Sequence, residues 1–220
     1  MELFLGDLEI AIISLERSVD RRSAIDFEPT RWIIGVDGRD RDDNFLQNQL
    51  IRFTNNMFYI PYNHQSSLKW RCRMACFLSH IKALSSTENP LLILEDDFKT
   101  TGRLNERLLV DVPEDADILF LGGFFEVKPN QEFNPKLGWN RIDTKKIKFY
   151  TTHAYIVKDP KNLLKMIRTN GKRPQTLDIY YNKHIFPKLN VYFHFNSLVT
   201  QNINFDSLID KDTKYLSLKS

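Results

Sequence analysis

Residues 91 to 99 read Leu-Leu-Ile-Leu-Glu-Asp-Asp-Phe-Lys, four aliphatic residues and then three consecutive acids, Glu95, Asp96 and Asp97. Adjacent carboxylates repel one another, and their combined field favours a divalent cation. All-oxygen ligands suit Mg²⁺ or Mn²⁺. On an extended segment Glu95 and Asp97 point to one side and Asp96 to the other, so one pair can face a common ion. A solvated turn after a core strand, with Asp97 capping a helix or bend, accounts for the same residues.

Other side chains with chemical potential are scattered along the chain. Arg17, Arg21 and Arg22 follow the apolar stretch 9–15, and guanidinium groups pair well with phosphate; a helix start capped by Ser18 with surface arginines is the alternative. Asp37 ends a second apolar stretch, where nucleotide-binding sheets read ribose or base edges. His80 interrupts the apolar stripe of a helix, and His153 lies in the middle of a strand pattern. A lone histidine of this kind is most often a hydrogen-bonded structural residue. Asp178, in the first turn of a helix pattern, by default complements the helix dipole.

The elements that must position these residues alternate between two periods. The short apolar run before the acids, bounded by Pro90, reads as a strand buried on both faces, as in a parallel sheet. Ligands of open α/β sheets sit outside the carboxyl ends of the strands, where the acids lie. Further strands are predicted over 9–15, 31–36, 117–121, 147–157 and 189–195. Helices are predicted over 69–86, 102–110, 160–168 and 176–186, the third with Asp159 as N-cap and Pro160 in its first turn. Residues 39–60 read as a long loop or small helices, and 126–145 as a loop. Gly122 and Gly123 permit a close approach of backbone or ligand, or form a plain turn. Trp139 is either a packing anchor or a sugar-stacking surface.

The totals bound the class. A chain of 220 residues with 42% hydrophobic and 27% charged content suits one soluble domain. A net charge of +3 is no nucleic-acid signature. Cys72 and Cys76 have neither zinc-finger spacing nor a disulfide framework and read as reduced thiols. The first residues lack a basic segment ahead of an uninterrupted apolar core, and no run reaches membrane-spanning length, so a soluble, cytoplasmic protein is expected.

Taken in order, the motifs resemble those of glycosyltransferase family 25, the lipooligosaccharide and collagen galactosyltransferases. Ile12 through Arg22 is similar to the family's opening strand and loop, and Val36-Asp37-Gly38 to its second-strand end. Ala75 through Leu84 resembles its cysteine-then-Ser-His helix, with Ala75 where the family often has glycine. Leu92 through Asp97, Thr152 through Val157, Thr176-Leu177-Asp178 and Val199-Thr200-Gln201 are similar to its acidic motif, later strand, Pro-x-Asp element and closing segment.

The resemblance implies a GT-A-like nucleotide-diphospho-sugar transferase fold, an α/β/α sandwich with a mixed, mostly parallel central sheet. It would form one domain over 1–220, with a nucleotide-binding half to about residue 123, an acceptor-binding half over 124–205 and a polar tail over 206–220. It implies transfer of a sugar, usually UDP-linked, to a glycan or glycoprotein hydroxyl, with inversion and with Mn²⁺ or Mg²⁺ as cofactor. Ser14, Leu15, Arg17, Arg21, Arg22, Asp37, His80, Glu95 and Asp96 fall on the donor side. Asp97, Glu95 and His194 are the metal candidates, and Asp178, with His153 as rival, is the catalytic base. A nucleotide-sugar hydrolase, a nucleotidyltransferase and a non-catalytic sugar-nucleotide-binding module are the alternatives.

Overall fold

The aliphatic run ahead of the acids is an inner strand of a seven-stranded sheet in the computed structural model, which describes residues 2–25, 28–54, 68–101, 108–172 and 175–202. In chain order the sheet strands are β1 (Glu9–Ser14), β2 (Arg31–Ile34), β3 (Leu91–Glu95), β4 (Ile118–Phe120), β5 (Trp139–Arg141), β6 (Ala154–Val157) and β7 (Val191–His194). Their spatial order is β2-β1-β3-β6-β4-β7-β5. β1 is parallel to both β2 and β3, and β7 is parallel to β4. β6 and β5 run against their neighbours, so the sheet is mixed.

Why β3 is unbroken in its hydrophobicity is visible in its packing. Leu91 and Ile93, with Ala11 and Ile13 of β1, face one core; Leu92 and Leu94, with Ile10 and Ile12, face another. The first core is built against α2 (Asp43–Thr54), α3 (Leu68–Leu84) and α4 (Pro160–Thr169). It also takes in the short α5 (Leu177–Tyr180), which continues as a π-helical turn over Tyr181–Ile185. The second core is covered by Leu5 and Leu8, by Leu109 and Val112, and by Leu198 and Val199. A helix α1 (Val19–Ser23) follows β1.

Local chemistry explains the best-defined helix start. The Asp159 carboxylate accepts from Asn162 N at 2.8 Å, and Pro160, which has no N–H to leave unsatisfied, opens α4. Asp159→Ala is expected to lower unfolding free energy by about 1 kcal/mol, read from the urea midpoint at constant m.

Several predicted elements differ. The strand expected over 147–157 is two strands: Ile147–Tyr150 pairs with Phe124–Val127 in a separate sheet, and β6 joins the main one. Thr151, at φ 76°, turns the chain between them. The loop expected over 126–145 contains β5 and part of that second pair, and most of 39–60 that is described is the single helix α2. The helix expected over 102–110 falls largely outside the described residues; its end, Leu108–Leu109, pairs with Leu3–Phe4 as strand. The polar tail 206–220 lies outside the described residues.

Gly122 is a point of close backbone approach. A Cβ there would lie 1.8 Å from the Val199 carbonyl oxygen, so the glycine admits the chain that then pairs Val199–Gln201 with Phe98–Thr100. Trp139 is a packing residue: its indole N–H donates to the Val110 carbonyl at 3.1 Å and its ring stands edge-on to His194 at 5.1 Å.

Candidate active site

The parallel register brings the ends of three strands level. Ser14 pairs with Ile34 of β2, and Ile13 with Glu95 of β3. The antiparallel β6 enters at this same end, and Glu95 N donates to the His153 carbonyl at 2.9 Å. Residues from four strands and the loops attached to them therefore meet around the three acids.

Each acid has a different surrounding. Asp96, 6% exposed, accepts from Ser14 Oγ at 2.7 Å and from Arg21 Nη1 at 2.8 Å. Glu95 faces the other way, as strand alternation requires, and Oε1 accepts from Thr152 Oγ1 at 3.3 Å and from His80 Nε2 at 3.1 Å. Burial works against the Glu95 charge, but the hydrogen bond from His80 outweighs it and holds the carboxyl below its ordinary value. A deprotonated carboxylate only accepts, so His80 Nε2 carries the proton and Nδ1 accepts from the Tyr155 hydroxyl at 2.9 Å.

Asp97 is the least satisfied of the three. Its Oδ1 is buried without a hydrogen-bond partner, and Oδ2 is 3.9 Å from Arg21 Nη1. Burial, then the neighbouring Glu95 charge, push this carboxyl up to about 7, against the pull of Arg21. A buried carboxylate oxygen aimed at nothing, beside a second carboxylate, fits a hard divalent cation. Asp97 and Glu95 are the residues that could hold one. His194 lies at the end of β7, donates from Nδ1 to the Asn196 carbonyl at 2.8 Å and packs against Trp139. The structure does not bring it into a ligand cluster with the two acids.

The basic loop after β1 is largely committed. Arg22 caps the carbonyls of Leu15 and Glu16 and donates to Ser14 Oγ, and Arg17 pairs with Asp37 at 2.7 Å. A cleft of about 620 Å³ opens beside this pair, with Val36, Phe45, Lys82 and Arg168 in its walls. That volume is in the range of small-molecule sites, about 300–1,000 Å³. Gly38 lets the loop after β2 lie against the start of α3, where a Cβ would come 2.5 Å from Cys72 N. Ser79 fastens the same loop, accepting from Val36 N at 2.8 Å and donating to the Ala75 carbonyl at 2.7 Å.

Asp178 is half-buried at the start of α5, and burial raises its carboxyl above the ordinary value. The Glu95 charge adds to that rise. Asn182 sets α5 against the turn before β6, with its amide accepting from Phe149 N at 2.9 Å and donating to the Asp178 carbonyl at 2.8 Å. His153, 3% exposed, donates from Nε2 to the Val199 carbonyl at 3.3 Å, and burial lowers its pKa. Sequence reasoning missed Tyr155, Asn182 and the partnership of Cys76 with His80 and Glu95. Only the four-residue spacing of Cys76 and His80 on one helix offered a signal.

The fold and site define a mixed α/β protein with three consecutive acids at the carboxyl end of an inner parallel strand. No family model matches the chain, and no curated protein matches it. Among solved structures, a glycosyltransferase involved in the glycosylation of the major capsid of PBCV-1 aligns at 12% identity and a TM-score of 0.32, over 84% of this chain and 81% of that one. A likeness at that level carries nothing about this chain's chemistry.

Proposed function

We propose that the chain is a metal-dependent glycosyltransferase of the family 25 type with a GT-A-like fold. It moves a hexose from a nucleoside diphosphate, UDP favoured, to a hydroxyl of a glycan or glycoprotein, with inversion. The observation that carries this reading is Asp97: a buried carboxylate with an unpartnered oxygen, pushed up to about 7, beside Glu95 and Arg21. The sequence motifs that resemble the family converge on the same strand ends. Among the described residues, no helix is long and apolar enough to cross a membrane; a cytoplasmic location is part of the proposal.

In this reading Asp97 and Glu95 hold Mn²⁺ or Mg²⁺. The bound ion supplies Lewis-acid stabilisation of the departing diphosphate. Arg21 adds positive charge next to the acids, and Ser14 and Arg22 keep the loop after β1 in place. Arg17 and Asp37 stand at the cleft as donor contacts. Asp178 takes the proton of the acceptor hydroxyl. Its raised pKa makes it a better base near neutrality, and its partial exposure admits an acceptor, whereas His153 is enclosed.

Asp178→Asn is expected to lower kcat by about 10²–10³-fold with KM for the donor little changed. In the native chain the acid limb of the kcat profile should lie above the ordinary carboxylate range, because the protonated form cannot accept the hydroxyl proton. The decisive assay incubates the protein with UDP-, GDP- and dTDP-sugars, Mn²⁺ and a panel of glycan acceptors. Extended acceptor supports the proposal. Free sugar released equally with and without acceptor means a hydrolase, and donor binding without turnover means a binding module.

A further inference from the structure

We propose that Cys76, His80 and Glu95 form a second cation site, one for a thiophilic divalent ion such as zinc, adjoining the hard-cation site at Asp97 and sharing Glu95 with it. Among the described residues they are the one group of three metal-ligating side chains whose donor atoms all lie within 4.8 Å of one another. Cys76 and His80 are four residues apart on α3 and so share a face, and Glu95 meets that face from the end of β3.

The ligand set decides the ion. One sulfur, one imidazole nitrogen and one carboxylate oxygen suit zinc and not Mg²⁺. Bonds of about 2.0–2.3 Å around a tetrahedral ion put ligand atoms roughly 3.3–3.8 Å apart, so the observed spread needs only a small contraction. Three protein ligands leave a fourth position for water. His80 is also held as zinc-bound histidines are, its other ring nitrogen 2.9 Å from the Tyr155 hydroxyl. His80 is 1% exposed, and Cys76 is partly exposed as a residue.

The protons balance. Burial keeps the Cys76 thiol protonated, and its proton leaves to solvent as the metal–sulfur bond forms. The imidazole proton moves from Nε2 to Nδ1, where it donates to the Tyr155 oxygen; the Tyr155 O–H turns from the ring toward Tyr181, and Nε2 gives its lone pair to the ion.

The test is a Co²⁺ titration of the full chain carrying Cys72→Ala, which leaves Cys76 as the sole thiol. The expected result is a near-ultraviolet thiolate-to-cobalt charge-transfer band with tetrahedral visible bands, saturating at one ion per chain. Equimolar Zn²⁺ should abolish it, Cys76→Ala and His80→Ala should lose it, and Asp97→Asn should keep it. Absence of the band at millimolar Co²⁺, its survival in Cys76→Ala, or its loss in Asp97→Asn overturns the proposal. Should Cys76→Ala not fold, protection decides: Zn²⁺ must slow iodoacetamide alkylation of Cys76, and unchanged alkylation overturns the site. The titration reads no sugar transfer, so its failure and failure of the transferase reading are separate results.

Discussion

Asp97→Asn is expected to lower sugar transfer by about 10³-fold while leaving the fold intact and, above neutral pH, more stable than the native chain. The loss of transfer follows from removing the carboxylate placed to hold the cation. The gain in stability follows from linkage. Folding raises this carboxyl from its ordinary 3.8 to about 7, so between those values the folded chain binds more protons than the unfolded one. Native stability therefore falls as pH rises through that window and stays low above it. A shift of this size corresponds to about 4 kcal/mol, which Asn, having no proton to lose, does not forfeit. Urea unfolding without metal at pH 5 and pH 8 checks the sign. The native chain should be less stable at the higher pH through this group, and the variant should lack that component. A variant less stable than the native chain at pH 8, or one with undiminished transfer, contradicts the assignment.

Arg21→Met should carry the largest destabilisation, about 3–5 kcal/mol. Arg21 and Asp96 have side chains 11% and 8% exposed, joined at 2.8 Å. Removing the guanidinium leaves the Asp96 carboxylate buried with the Ser14 hydroxyl still donating to it, and it also removes a charge that pulls Asp97 down. A buried ion pair is less favourable than an apolar pair of similar volume, so Arg21→Met with Asp96→Leu should recover most of the loss. Additive losses in the double variant would mean that the two side chains act separately.

Where one element held all the information, it was legible in the chain. The run Leu91–Leu94 is apolar at every position because alternate residues face two different cores, and it was read as a two-sided strand on that ground. Asp159-Pro160 marks a helix start by local chemistry alone. The break at Thr151 was not legible: a β-branched residue in a β-rich run carries no turn signal, yet it adopts φ 76° between two strands of different sheets. Residue type announced the arginines but not their partners. Arg22, by type either a phosphate partner or a surface arginine of a helix start, caps two carbonyls of its own loop. The grouping of Cys76, His80 and Glu95 was hidden because its members come from a helix and a strand that only the fold brings together.

The central claim is that the acids after β3 grip a divalent cation that also binds a nucleoside diphosphate. Thermal melts at pH 8 with Mn²⁺, with UDP and with both test it most directly, since a ligand of the native state must raise the midpoint. The account predicts a rise with Mn²⁺, a larger rise with both, and neither in Asp97→Asn. A native midpoint unmoved by Mn²⁺ and UDP together would contradict it.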